Sequence, residues 1–322
     1  MIVPGKLAKG KAIGIYSPSA SVTCGASRLA QYEKGLQVLR ARGYPIKEAA
    51  HARGRYHHMA ATAEQKASDI HALFTDPEVG AIIPSIGGHT ASQVLPHLEL
   101  GLIRQHPKIF VGFSDSSVLA MYIAHGAGLV TFHSAADVAF GFSRLGELDS
   151  PLQGKGHYSA ERFFEALEQG VVVPQPFSPW VGLIDGEASG TILGGNIKGV
   201  LALVGTPYEP SWDGVILYWE SADPPHVIAQ VLAHLRNARV LDRIAGMVVG
   251  KVAHLKETFY STDEIMPVHD FIRYVLRGVS IPVAVECDIG HDVENITIPN
   301  GCQAHLEVKG GFCKLSLGYG AA

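Results

Sequence analysis

The sequence predicts an α/β protein built on a parallel sheet, and three observations carry that prediction. Short apolar, β-branched runs such as Ile109 to Phe113 read as buried strands. Amphipathic stretches such as Ser27 to Arg42 alternate with them. The runs end in Ser- or Gly-rich turns: Ser17-Pro18-Ser19, Gly87-Gly88 and Ser114. Strands that alternate with helices imply a parallel sheet with helices on both faces. In such sheets the site lies at the carboxyl ends of the strands.

Each element has its own signal. Ala12 to Tyr16 is an apolar run that reads as the first strand. Ser27 to Arg42 places Leu29, Tyr32, Leu36 and Leu39 on one helical face. Thr62 followed by Gln65 is a capping box ahead of a helix carrying Ile70, Leu73 and Phe74. Ala81 to Ile86 reads as a buried strand broken by Gly87-Gly88, and Thr90 to Leu98 as a helix. The Ile109 strand, a helix from Ser116 and a strand from Leu129 to Phe132 follow.

After a helix near Ser159 to Gln169, the segment Val171 to Glu187 is rich in Pro, Gly and aromatics and reads as a linker. Gly194-Gly195-Asn196 then leads into a helix from Ile197 to Val204. Strands are predicted at Val215 to Trp219, Met247 to Val252 and Pro282 to Cys287, and helices at Pro225 to Asn237 and Thr262 to Arg277. His305 to Val308 and Cys313 to Leu317 form a hairpin across Gly310-Gly311. The domains are therefore set at 1–170, a linker at 171–188, and 189–322. The first is a flavodoxin-like parallel-sheet domain, and the second a smaller α/β domain.

Composition narrows the function. The 322 residues are 47% hydrophobic and 17% charged, with a formal net charge of -4. That is ordinary globular composition without the basic footprint of a nucleic-acid binder. The longest apolar runs are too short to cross a bilayer. The N-terminus lacks the regions of a signal peptide, so a cytoplasmic chain is expected. The four cysteines, Cys24, Cys287, Cys302 and Cys313, contain no C-x-x-C pair. Among 16 histidines, the adjacent His57 and His58 point apart and lack a ligand-spaced carboxylate, so no metal is expected.

The most informative stretch is Gly112-Phe-Ser-Asp-Ser116. A serine on a tight strand-to-helix turn projects its hydroxyl beside the free N–H groups of a helix N-terminus. That is the geometry of a nucleophile elbow, although Gly-x-Ser-Asp-Ser only partly matches Gly-x-Ser-x-Gly. A Ser that merely caps a helix is the plainer reading. A serine nucleophile needs a base, and the base an orienting carboxylate. Glu220 and His291 both follow apolar strands, which would give the order Ser, Glu, His. The residues alone leave a salt-bridged acid and a loop histidine as open alternatives.

The chain resembles the LD-carboxypeptidases of peptidase family S66, which include the microcin C7 self-immunity proteins. Lys9-Gly-Lys-Ala-Ile-Gly-Ile-Tyr-Ser-Pro-Ser19 is similar to the family's opening strand, with Lys11 where Asp is common. Gly87-Gly88 matches its glycine loop, and Gly112-Phe-Ser-Asp-Ser116 its nucleophile motif. Ile192-Leu-Gly-Gly-Asn-Ile197 and Gly205-Thr-Pro207 resemble the start of its C-terminal domain. Leu217-Tyr-Trp-Glu220 matches the strand of the catalytic Glu. Gly290-His291, Thr297-Ile-Pro299 and Gly301 match the catalytic-His motif. The resemblance implies a Ser114–Glu220–His291 triad in an interdomain cleft. It also implies an oxyanion hole from the N–H groups of Gly88 and Asp115, no cofactor, and a homodimer.

The same resemblance bears on substrate. Murein LD-carboxypeptidases commonly read Arg-Gly-Gly-Tyr-Gly, whereas this chain reads Ile86-Gly-Gly-His-Thr90. The following Ser92-x-x-Leu-Pro96 looks more like the microcin-immunity branch, which cleaves aminoacyl groups from sulfamoyl- or phosphoramidate-linked adenosine. Gly87 and His89 would then line the substrate. Phe177, Trp180 and Trp212 are loop aromatics able to stack on a purine, or to seal a domain interface instead. A murein tetrapeptide is the close alternative and would want a cation such as Lys198, Lys251 or Lys256. A non-catalytic binding protein on the same scaffold is the third reading.

Overall fold

The computed structural model describes residues 1–139, 155–172, 174–252, 264, 266–291 and 293–319. The chain divides into two compact units, the first holding Met1–Val172, Asn295–Gly301 and the chain from Tyr319, the second Val173–Glu294 and Cys302–Gly318. Both are α/β, as the alternating pattern predicts.

In the first unit, β1 (Ala12–Tyr16), β2 (Ile46–Glu48), β3 (Val79–Pro84), β4 (Ile109–Gly112) and β5 (Thr131–His133) run parallel, in the order β2-β1-β3-β4-β5. This is the flavodoxin-like order. A short antiparallel strand, Ile298–Asn300, adds to β5 at the edge. The connecting helices are α1 (Ala26–Ala41), α2 (Ala63–Thr75), α3 (Leu100–Gln105), α4 (Ser117–Ala127) and α5 (Lys155–Phe164). Of the predicted α1 stripe, Tyr32, Leu36 and Leu39 are buried and Leu29, in the first turn, is only part-buried, and Ile70, Leu73 and Phe74 of α2 are buried as predicted. The Thr62 capping box forms in both directions, with Gln65 Oε1 accepting from Thr62 N–H at 3.1 Å and Thr62 Oγ1 from Gln65 N–H at 3.4 Å.

In the second unit, β7 (Gly186–Asn196), β8 (Ile216–Ser221), β9 (Gly246–Val252) and β10 (Val283–Cys287) are parallel neighbours. β6 (Val181–Ile184) adds antiparallel to β10. On the other side, β12 (Gln303–Lys309) and β13 (Phe312–Leu317) form the predicted hairpin, turning through Gly310 and Gly311 at φ +59° and +84°. Positive φ at both central residues is the type I′ requirement that glycine meets. The helices of this unit are α6 (Ile197–Leu203), α7 (Pro225–Asn237) and α8 (Val268–Val275).

Four expectations change. Within the expected linker 171–188, Val181–Ile184 is a strand, because this short apolar run finds a partner in β10. Residues 295–301 leave the expected C-terminal domain 189–322 and give the first sheet its edge strand, which we label β11. Ala91–His97 is a 3₁₀ helix rather than an α-helix, with Pro96 inside it. Proline has no N–H to donate, and short 3₁₀ turns tolerate that better than an α-helix. The first residues of the predicted Thr262–Arg277 helix lie outside the described residues, and the observed helix starts after Pro267.

Candidate active site

The first unit presents Ser114 where β4 turns into a short 3₁₀ turn, Ser114–Ser116, and then α4. Ser114 has φ +52°, a left-handed conformation that costs a non-glycine residue about 1–2 kcal/mol. Strain of this kind at a strand–helix corner is the mark of a nucleophile elbow. The turn is locked behind it. Ser116 Oγ accepts from Phe113 N–H at 3.0 Å and donates to Phe113 O at 2.8 Å. Gly112 permits the tight approach, since a Cβ there would lie 2.7 Å from Ser116 O and 2.8 Å from Ala120 Cβ. Ser116 and Ser117 are buried, while Ser114 keeps partial exposure.

The glycine loop after β3 sits directly against this serine. A Cβ on Gly87 would lie 2.9 Å from Ser114 Oγ, and one on Gly88 would run into Ser19 Oγ. The backbone of Gly87-Gly88 is thus held between Ser114 and Ser19, with the Ser114 hydroxyl against Gly87 and no room for a side chain on Gly88. His89 is exposed, and Thr90 is buried. Asp115 faces the next residues, its Oδ2 accepting from Ala91 N–H at 2.9 Å.

The second unit brings Glu220 and His291 together. Glu220 is the last residue but one of β8 and is fully buried, and its Oε2 lies 2.7 Å from His291 Nδ1. A carboxylate only accepts, so Nδ1 carries the proton and Nε2 is the basic nitrogen of the ring. His291 follows Gly290, which at φ +148° passes so close to β9 that a Cβ would lie 2.6 Å from Lys251 O. The second carboxylate oxygen of Glu220 accepts from Asn196 Nδ2 at 3.0 Å. Asn196 is its register partner on β7 and also caps α6 through Lys198 N–H. In the sequence Asn196 stands only as the lead-in to a helix.

A second cluster in this unit is centred on Asp288, three residues before His291 and fully buried. It accepts from Phe177 N–H at 2.7 Å, from Ser178 N–H at 3.1 Å and Ser178 Oγ at 2.7 Å, from Trp180 Nε1 at 2.9 Å, and from Lys251 Nζ at 2.7 Å. Burial pushes this carboxyl up, but the hydrogen bonds from Lys251, Ser178 and Trp180 outweigh it, so its pKa lies below the ordinary 3.8. Of the three aromatics, Phe177 is half-exposed, Trp180 is largely buried, and Trp212 is fully buried with its Nε1 on Glu209. Lys198 is paired with Asp223 at 2.7 Å, Lys251 with Asp288, and Lys256 lies outside the described residues. Among the described residues no cluster of His, Cys, Asp and Glu could hold a metal ion, and no helix is long and apolar enough to cross a membrane.

An elbow serine against a glycine loop, and a buried carboxylate on a histidine Nδ1, are parts that serine-type hydrolases use. Comparison with known proteins gives the family. Residues 13–134 match the LD-carboxypeptidase N-terminal domain, and residues 189–306 the LD-carboxypeptidase C-terminal domain. The chain belongs to the S66 family of LD-carboxypeptidases, which are serine-type carboxypeptidases. It is 27% identical over 313 residues to the "Probable murein peptide carboxypeptidase" of Bacillus subtilis, covering 94% of this chain and 91% of that one. It is 24% identical over 331 residues to the microcin C7 self-immunity protein MccF of Escherichia coli, covering 95% and 93%. The structure of MccF with aspartyl sulfamoyl adenosine superposes with a TM-score of 0.83 at 22% identity, covering 95% of this chain and 96% of that one.

Proposed function

We propose that Ser114, Glu220 and His291 form a catalytic triad that hydrolyses an amide through an acyl-enzyme. The observation that carries this reading is the 2.7 Å contact of the buried Glu220 carboxylate with His291 Nδ1, which leaves Nε2 as a base. His291 Nε2 takes the Ser114 proton as Oγ attacks the carbonyl carbon. The N–H groups of Gly88 and Asp115 stabilise the oxyanion, a contribution on the order of 3 kcal/mol for each donor. The imidazolium then protonates the leaving nitrogen, and water resolves the acyl-enzyme by the same steps in reverse.

For the substrate we propose an aminoacyl group on a sulfamoyl- or phosphoramidate-linked nucleoside. Three observations support it. The loop Gly87-Gly88-His89 lacks the Arg and Tyr of murein enzymes. Phe177 offers a half-exposed ring on a pinned backbone. Lys198 and Lys251 are both committed to carboxylates, which weakens them as anchors for a peptide carboxylate. The murein reading keeps one specific support, the 27% identity to the Bacillus subtilis protein. We further propose that the working form is a cytoplasmic homodimer, which light scattering of the purified chain and cell fractionation would test.

The deciding experiment compares kcat/KM for an aminoacyl-sulfamoyl-adenosine and for a murein tetrapeptide ending in D-Ala, with Ser114→Ala as the control. The nucleoside substrate is expected to be faster. A tetrapeptide faster by about tenfold, a barrier difference of about 1.4 kcal/mol, would establish the murein reading instead.

A further inference from the structure

We infer that Lys66 is a positioning residue for the oxyanion hole, holding the Gly87–Thr90 loop in register against Ser114 and Asp115. This rests on the reading of Ser114 as the nucleophile.

Lys66 lies on α2 in line with Ile70, Leu73 and Phe74, the apolar stripe of the helix. A lysine there would normally extend its ammonium to solvent. Lys66 instead is 2% exposed, and its Nζ donates to Thr90 Oγ1 at 3.0 Å. No carboxylate of the described residues comes within ion-pair distance of it. A buried ammonium hydrogen-bonded to a neutral hydroxyl is costly to keep, and an apolar side chain of similar volume would suit the stripe better. Its place is therefore better explained by what Thr90 does.

Thr90 is buried and closes the glycine loop. Its N–H donates to Ser19 Oγ at 2.8 Å, and its hydroxyl shares a 3.1 Å hydrogen bond with the same oxygen. Ser19 is the residue against which Gly88 is packed, its Cβ lying 2.8 Å from where a Gly88 Cβ would be. The chain Lys66–Thr90–Ser19 therefore backs the loop on one side, while Ser114 abuts Gly87 on the other. Asp115 completes the clamp by accepting from Ala91 N–H at 2.9 Å. Burial lowers the Lys66 pKa, and the Asp115 charge works against that shift. A cation and an anion thus grip consecutive residues, Thr90 and Ala91, immediately after the two glycines. Asp115 supplies one proposed oxyanion donor and Gly88 the other, so the clamp fixes the distance between them. Donor placement of this kind is what preorganised oxyanion stabilisation requires.

The test follows the rate at which an alkyl fluorophosphonate modifies Ser114, Oγ bonding to phosphorus as fluoride leaves. It uses the full chain as wild type, Ser114→Ala, Lys66→Met, Asp115→Asn and the Lys66→Met/Asp115→Asn double variant. Wild type is expected to label and Ser114→Ala not to. Lys66→Met is expected to lower the limiting rate about tenfold or more with the half-saturating concentration unchanged, while melting at or above wild type. The double variant is expected to be no slower than the slower single one, because both groups hold the same turn. If Lys66→Met fails to fold, Thr90→Val, which keeps shape and loses the acceptor, is expected to show the same slowing. Wild-type rates in Lys66→Met or Thr90→Val would overturn the inference alone. A slow Lys66→Met that melts well below wild type and multiplies with Asp115→Asn would reduce Lys66 to a structural part. Absence of labelling in the wild type would overturn the nucleophile reading and this inference with it.

Discussion

Asn196 and Glu220 are register partners on adjacent parallel strands, and the Asn196 amide donates to the carboxylate oxygen that His291 does not use. Two tasks meet in this one side chain, since Asn196 Oδ1 also caps α6. Asn196→Ala is expected to lose both, costing about 0.5–2 kcal/mol of stability for the cap. Turnover is expected to fall roughly tenfold or more for the hydrogen bond to a charged group. Asn196→Asp keeps a good cap but sets a second carboxylate beside Glu220. Like charges raise one of the two pKa values, so the acidic limb of kcat/KM is expected to move to higher pH. A pH–rate profile unchanged in Asn196→Asp would contradict this.

The two loop glycines are expected to respond differently to alanine. At Gly87 the new methyl would meet Ser114 Oγ and Cβ at 2.9 and 3.0 Å, and the residue is not at positive φ. Gly87→Ala is therefore expected to fold with a near-normal melting temperature and to lose activity by about two orders of magnitude. Gly88 is at φ +151° and is packed on Ser19. Gly88→Ala is expected to destabilise the chain by about 1 kcal/mol or more as well. Thermal melts beside steady-state rates separate the two cases.

Asp288 ties the Phe177–Trp180 loop to Lys251 on β9. Its folded pKa is below the ordinary 3.8. A carboxyl depressed by folding contributes stability that is complete above its unfolded pKa and lost as pH falls through the folded one. The contribution is therefore expected to be intact above about pH 5 and to be lost as pH falls from there through the depressed folded pKa. Asp288→Asn should flatten that acid limb in a stability–pH series. It should also raise KM for a nucleoside substrate more than it lowers kcat, because the loop that carries Phe177 is released.

If the Phe177 ring stacks on a nucleobase, Phe177→Ala is expected to raise KM by roughly fivefold or more with kcat little changed. Stacking far from the reacting carbonyl is largely uniform binding, worth about 1–3 kcal/mol. Trp212→Ala, by contrast, should act through folding, because the ring is fully buried and bonded to Glu209. A Phe177→Ala effect confined to kcat would count against stacking.

What could be read from the sequence follows from how local each cause is. The strands ending at Tyr16, Gly112 and Ser221 are apolar runs, and the Thr62–Gln65 box is a three-residue signal, so all are visible in sequence. β7 is not. Gly194 reads only as the lead-in to a helix, yet Gly190 and Gly194 lie inside the strand, where Gly214 O and Tyr218 O of the adjacent segment leave no space for a Cβ. β11 contains Pro299 and depends on a partner, β5, more than 160 residues away. An edge strand tolerates that proline, but no local pattern announces it. Of the proposed catalytic residues, Ser114, Glu220 and His291 lie at strand ends and carry family motifs, so they could be named. Asp288 joins Phe177, 111 residues away, and left no signal. Lys66 did leave one, a lysine at helical spacing on the stripe of Ile70 and Leu73, and its meaning lies in Thr90.

The most direct test of the central claim is a double-mutant cycle on the rate of Ser114 phosphonylation, using Glu220→Gln, His291→Ala and the two together. The claim is that Glu220 acts only through His291, and that His291 is the base for Ser114. His291→Ala is expected to slow labelling by about a hundredfold or more, and Glu220→Gln by less. The double variant should match His291→Ala, because members of a triad act as a unit. Losses that multiply in the double variant, or a His291→Ala rate equal to wild type, would contradict the account.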